Sequence, residues 1–169
     1  MIAYRPATPA DAAELGAVAT RAYTETFVGL YRQGDLDTFL AAAFGPTGLQ
    51  AHVAQPAYTI RVACAGGAIV GFCKLGPVVF PGDWPPGAIE LHQLYVLAEH
   101  LGAGVGPALM DWAIATARAQ GGSELLLSVY VDNHRAKRFY ARYGFEDIGR
   151  YDFAVGETID EDRIMRLAL

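Results

Sequence analysis

The chain has 169 residues, a formal net charge of −5, 53% hydrophobic residues and 18% charged residues. That apolar fraction excludes a disordered chain, and the acidic balance does not suit general binding to nucleic acid, whose backbone rewards basic patches. The only cysteines, Cys64 and Cys73, share one strand-like stretch without a CxxC pair, so neither a disulfide scaffold nor a metal site is expected.

MIAYRPATPADAAEL carries early charges and no long apolar run. Neither a secretion signal nor a membrane span is expected there, and the expected location is cytoplasmic. MIAYRPA reads as a first strand. Pro9 to Ala12 open a helix with Thr8 as its N-cap, and Leu15, Val18, Ala19 and Ala22 give that helix an apolar stripe. TETFVGLYRQGD is a looser aromatic connection. Asp35 to Phe44 reads as a second helix with Leu36, Phe39, Leu40 and Ala43 on one face, and after GPTGL a short helical piece runs to Val53. A hairpin follows, with strand Tyr58 to Cys64 turning at Gly66-Gly67 into strand Ala68 to Leu75. FPGDWPPG is a loop, because its prolines and glycines exclude an element interior.

AIELHQLYVL is the next strand. A glycine segment then leads into a helix that ends near Gly121-Gly122. ELLLSVYV reads as a strand buried on both faces. DNHRAKRFYARY is helical and stops at Gly144, and FEDIGRYDF and DRIMRLAL supply two last strands. The order β-α-α-β-β-β-α-β-α-β-β predicts an α/β fold, a mixed central sheet flanked by helices, in a single domain over residues 1–169.

The segment LGAGVG, between a strand and a helix, has the makings of an anion site. A first helical turn leaves backbone N–H groups unpaired, the helix dipole adds to their pull on phosphate, and glycine lets a ligand approach the backbone. The alternative is a plain tight turn. A nucleotide-hydrolase loop would need Gly-Lys-Ser/Thr where Gly106-Pro107-Ala108 stands, and a dinucleotide fingerprint would need GxGxxG near the start of the domain. Val105, Leu109, Trp112 and Ala113 are expected to face the sheet.

LYVLAEHLGAGVGPALM resembles the acyl-coenzyme A loop of the GCN5-related N-acetyltransferase (GNAT) superfamily, Gln/Arg-x-x-Gly-x-Gly/Ala after a strand. The pattern falls on Leu101, Gly102, Ala103, Gly104, Val105 and Gly106, with Leu101 where the family usually has a polar or basic side chain. NHRAKRFYARYGFEDIG resembles the family's next motif, through Asn133, Ala136, Phe139, Tyr140, Gly144 and Phe145. The tail is similar to that of PaiA-like bacterial polyamine acetyltransferases.

The resemblance implies a GNAT fold and an enzyme that takes acetyl-CoA as cosubstrate. It would pass the acetyl group directly to a primary amine of a small molecule or peptide. A non-catalytic acyl-CoA or small-ligand binding protein, and a protein N-terminal or lysine acetyltransferase, are the alternatives. The resemblance places the pantetheine arm in a gap beside Leu94, Tyr95 and Val96, with the Val96 amide or one beside it toward the thioester oxygen. It makes Tyr140 the general acid for the departing thiolate, and it gives Asn133 a bond to the pantetheine arm besides the helix cap its type suggests. Glu90 or His92 is the expected base, directly or through water. Tyr23, Phe27, Tyr31 and Trp84 are the expected walls of the acceptor pocket, with Glu25, Asp35 and Asp83 drawing in a cationic amine. Arg135, Lys137, Arg138 and Arg142 form a solvated face, one of them meeting the coenzyme's phosphates. Cys73 and Ser128 have no evident activating partner, so no covalent enzyme intermediate is indicated. No nucleic acid or membrane partner is expected, and a homodimer is, given how common two-fold assemblies are.

Overall fold

The computed structural model describes all 169 residues. β1 (Ile2–Pro6) leads into a 3-10 turn at Pro9–Asp11, where the Asp11 carboxylate accepts from the Thr8 amide at 2.7 Å and from its hydroxyl at 2.9 Å. Arg5 clamps the same carboxylate at 2.7 and 2.8 Å, which holds Asp11 well below the usual carboxylate range. α1 (Ala12–Thr26), α2 (Gln33–Phe44) and the single turn α3 (Leu49–His52) follow. β2 (Thr59–Ala65) and β3 (Ala68–Gly76) form the hairpin, and β4 (Ala88–Val96) precedes the glycine segment and α4 (Val105–Ala119). β5 (Glu124–Tyr130), α5 (His134–Arg142), β6 (Glu146–Val155) and β7 (Thr158–Ala168) complete the chain.

All seven strands join one mixed sheet in the order β1-β2-β3-β4-β5-β7-β6. Only β4 and β5 run parallel, as their connection through α4 requires. On one face α4 buries Val105, Leu109, Met110, Ala113 and Ala117 against Ala63, Cys73, Leu91, Leu125 and Leu127, with Trp112 and the α5 stripe Ala136, Phe139, Tyr140 and Tyr143 packed at the margin. On the other, α1 lays Leu15, Val18, Ala19 and Ala22 over Ile60, Val62, Cys64 and Phe72. Each fully buried leucine contributes roughly 1.5–3 kcal/mol of transfer free energy.

The last hairpin departs from the sequence expectation. β7 begins at Thr158, four residues before the stretch DRIMRLAL, and turns back from β6 through Gly156 at φ 59°. Its early inward positions are Asp160 and Asp162, 9% and 7% exposed, so the apolar alternation that marks a half-buried strand is absent. Asp35 anchors this turn: its carboxylate accepts from the Glu157 amide at 2.9 Å and the Thr158 hydroxyl at 3.0 Å.

Candidate active site

Two features of the sheet make the site. β4 and β5 pair only at Ala88–Glu90 against Glu124–Leu126. Beyond that point β4 stays with β3 and β5 stays with β7, so a gap opens between them. The register of β4 on β3 also slips, Leu75 facing Leu91 while Lys74 faces Gln93, which leaves His92 as the extra residue of a bulge. The Leu97 amide donates to the Val70 carbonyl. Antiparallel alternation then turns the amide groups of Leu94 and Val96 into the gap.

At one end of the gap lies the glycine segment. Gly102 and Gly104 have φ of 79° and 81°, a conformation that glycine alone adopts freely. Their N–H groups donate to no carbonyl or side chain, and those of Val105 and Gly106 begin a helix whose first turn has no internal acceptors. The Phe139 ring packs on Gly106, and Arg135, Arg138 and Arg142 of α5 line the same end, so three arginines placed on a solvated face border the cavity. Asn133 caps α5 by accepting from the Ala136 amide at 3.2 Å. Ala103 is exposed and Val105 is core, so these two offer their backbone, not their side chains. Leu101 is 42% exposed at the rim.

A cavity of about 990 Å³ runs from these glycines across the gap and under α1 and α2. Tyr140 lines it, its phenol pushed up to about 12 by burial, so it stays protonated across the neutral range. Glu90 and His92 line it from β4. Glu90 is 5% exposed; burial pushes its carboxyl up to about 7, against the opposing pull of the Val79 amide at 2.9 Å and of Lys74. His92 is pushed down to about 4 by burial and by Lys74. Its Nε2 lies 2.8 Å from the Pro77 carbonyl, which can only accept, so Nδ1 is left as the bare nitrogen of the neutral ring. That Nδ1 faces Glu90 Oε1 at 3.7 Å, two proton acceptors turned toward one another.

The far end is aromatic and acidic. Tyr23, Phe27, Tyr31, Phe39, Phe44, Tyr95, Tyr130 and Phe153 all line it, linked by ring contacts such as Tyr23–Phe27 at 4.6 Å and Phe39–Phe153 at 5.5 Å. Asp160 accepts a hydrogen bond from the Tyr31 hydroxyl. Burial raises Asp162 to about 6, against the pull of the Ser128 hydroxyl, and neither aspartate enters an ion pair.

The carboxylates expected to draw in a cation lie elsewhere. Glu25 pairs with Arg21 at 2.8 Å, Asp35 is spent on the last hairpin, and Asp83 is exposed in its loop. Trp84 does not line the cavity; its indole N–H donates to the Phe80 carbonyl at 3.1 Å and its ring packs on Phe80, which itself reaches the wall. Sequence reading passed over Asp160, Asp162, Lys74 and Gln93. One signal was there: Lys74 is the lone charge in the apolar strand AIVGFCKLG.

The geometry has close parallels among known proteins. Residues 18–145 match the model of the acetyltransferase (GNAT) family. An uncharacterized N-acetyltransferase of Mycobacterium tuberculosis is 32% identical over 155 residues, 92% of this chain and 96% of that one. PaiA N-acetyltransferase of Thermoplasma acidophilum, solved with coenzyme A, superposes with a TM-score of 0.81 at 21% identity, covering 100% of this chain and 99% of that one. yncA of Salmonella typhimurium, solved with acetyl-CoA, gives a TM-score of 0.70 at 22% identity over 100% and 94% of the two chains. By its sequence match and its sheet, the chain belongs to the acetyltransferase (GNAT) family.

Proposed function

We propose that the protein transfers the acetyl group of acetyl-CoA directly to a primary amine of a small molecule bound in the aromatic end of the cavity. The observation that carries this reading is the parting of β4 from β5 immediately after Glu90, with Tyr140 on the same cavity wall. The bound thioester supplies an acetyl carbonyl already activated for attack.

The free amides of Gly102, Gly104, Val105 and Gly106 suit the coenzyme's diphosphate, and the three arginines beside them add positive charge. The Leu94 and Val96 backbone takes the pantetheine arm as an added strand edge. One of those amides lies ready to stabilise the charge that develops on the acetyl oxygen. Glu90 takes the proton the amine must lose, with the bare Nδ1 of His92 as a second acceptor beside it. Tyr140 gives its proton to the departing thiolate. The products are the N-acetyl amine and the free thiol; Glu90 then releases its proton to solvent and the phenol regains one from solvent. Asp160 and Asp162 give the aromatic end a negative wall that favours a cationic approaching amine.

Free thiol release from acetyl-CoA, followed across polyamines, amino acids, aminoglycosides and N-terminal peptides, tests the reading. The tail's resemblance to PaiA-like enzymes is what puts polyamines in that panel. Amine-dependent release that falls in Tyr140→Phe is expected. Absence of release with every amine, together with no coenzyme binding in calorimetry, would overturn it.

A further inference from the structure

Lys74 is 3% exposed, yet it borders the cavity and belongs to no ion pair. Lysine is almost never so buried without a counter-charge. Its one polar contact is with His52 Nδ1, at 2.7 Å, and its ammonium sits 4.7 Å from the centre of the Tyr58 ring. Burial and the charge of Lys74 itself both lower the pKa of His52, so His52 accepts a hydrogen bond without supplying negative charge. The charge of Glu90 acts on Lys74 across the intervening space, but the two form no ion pair.

The register partner of Lys74 is Gln93, on the next strand. Its Oε1 is buried and has no hydrogen-bond donor. Paired residues on the cavity wall thus carry an ammonium in no ion pair and a carbonyl oxygen without a donor. Such orphans are costly in a protein that keeps them for structure alone, and an apolar pair of the same volume would be at least as stable. Across the cavity the polarity reverses: Asp160 and Asp162, which accept from hydroxyls but enter no ion pair, lie on β7, with β4 and β5 between them and Lys74 on β3. The positive wall, the gap and the negative wall thus follow one another across the sheet.

Resting on the transfer reading above, we propose that the acceptor is a zwitterion, an amino carboxylate, whose acid group binds Lys74 and whose amine donates to Gln93 and Glu90. A simple amine satisfies the acceptors and leaves the buried ammonium bare. An amino acid satisfies both.

The test compares a set of amino acids with the amines they would yield on decarboxylation, such as L-phenylalanine with 2-phenylethylamine and L-leucine with 3-methylbutylamine. For at least one pair, kcat/KM is expected to favour the amino acid by about tenfold or more, the worth of a charge-assisted bond. Lys74→Met should shrink that preference to within about threefold, chiefly by raising KM for the amino acid, while the matching amine moves less. The thermal midpoint of the variant should not fall, since it loses an uncompensated buried charge.

A second readout does not depend on turnover. Lys74 and Lys137 are the only lysines, so lysine labelled at the side-chain nitrogen gives two signals. The amino acid should shift the Lys74 signal and the matching amine should leave it in place. If acetyl transfer fails but this shift is seen, the subsite stands and the transfer reading falls. If amines are acetylated with no preference for the carboxylate, or if no amino acid in the set moves Lys74, the subsite is overturned.

Discussion

At the glycine end of the cavity the wall is backbone: amides of Gly102, Gly104, Val105 and Gly106 at the mouth of α4, and of Leu94 and Val96 along the open edge of β4. At the aromatic end it is side chains, brought from α1, α2, β3, β4, β5, β6 and β7. A backbone wall depends on conformation, so it tolerates changes of side chain but not of dihedral angle. A side-chain wall has the reverse sensitivity. Leu101, where the family usually has a polar or basic residue, illustrates the first point, because neighbouring amides do not depend on its identity. Lys74 illustrates the second, because it is the one charged group in the otherwise apolar strand AIVGFCKLG.

Four substitutions test whether the two ends separate in this way, beginning where the chemistry meets. Tyr140→Phe should lower kcat by about 10³ with coenzyme affinity within about twofold. Stopped-flow thiol release and calorimetry on the same preparation check this, and an equal loss of affinity would mean that Tyr140 belongs to the backbone end's binding function.

Glu90→Gln should lower kcat/KM by about 10² and erase the rise in kcat/KM expected of the wild type as pH climbs through about 7. Stability should move the opposite way. The folded protein holds the Glu90 proton up to about 7, while the ordinary carboxyl releases it near 4.5. Stability from this group is present below 4.5 and is lost as pH rises through about 7. Glu90→Gln removes that decline, so at pH 8 the variant should be more stable, by on the order of 1–3 kcal/mol in urea unfolding. A variant less stable at pH 8 would show that the ionised carboxylate is welcome in its site.

Asp162→Asn should raise KM for a cationic acceptor by about tenfold, with kcat and coenzyme affinity nearly unchanged. A weaker coenzyme would join the two ends instead of separating them. Gly104→Ala is expected to have the smallest effect. A methyl group there meets open space, so the cost is the backbone conformation at φ 81°, about 1–2 kcal/mol by thermal unfolding. Coenzyme binding should weaken about threefold while KM for the amine holds.

The same division explains which parts of the molecule were legible. Leu15, Val18, Ala19 and Ala22 repeat at helical spacing and bury together, and α1 is where that stripe predicts a helix. Gly66-Gly67 turns the hairpin with both residues at positive φ, as its glycines require. Asn133 before a helical run reads as a cap, and its side chain accepts from the Ala136 amide. In each case residues close in the chain interact, so their spacing carries the information.

Asp160, Asp162 and Trp84 show where that information stops. The two aspartates look like ordinary surface acids in GETIDED, and burial at the floor of the cavity follows only from the pairing of β7 with both β5 and β6. Trp84 is bracketed by prolines in a loop whose path depends on Phe80, four residues earlier, finding Leu126 and Ile164.

The sequence alone therefore determined the order of the elements, the glycine turn at the helix start and the two consecutive strand–helix motifs, because each rests on contacts within a few residues. Only the tertiary structure decided where β4 leaves β5, which carboxylates face the cavity, and that Lys74 is buried without an anion. Those depend on strands distant in sequence becoming neighbours in one sheet, where burial sets the cost of every charge.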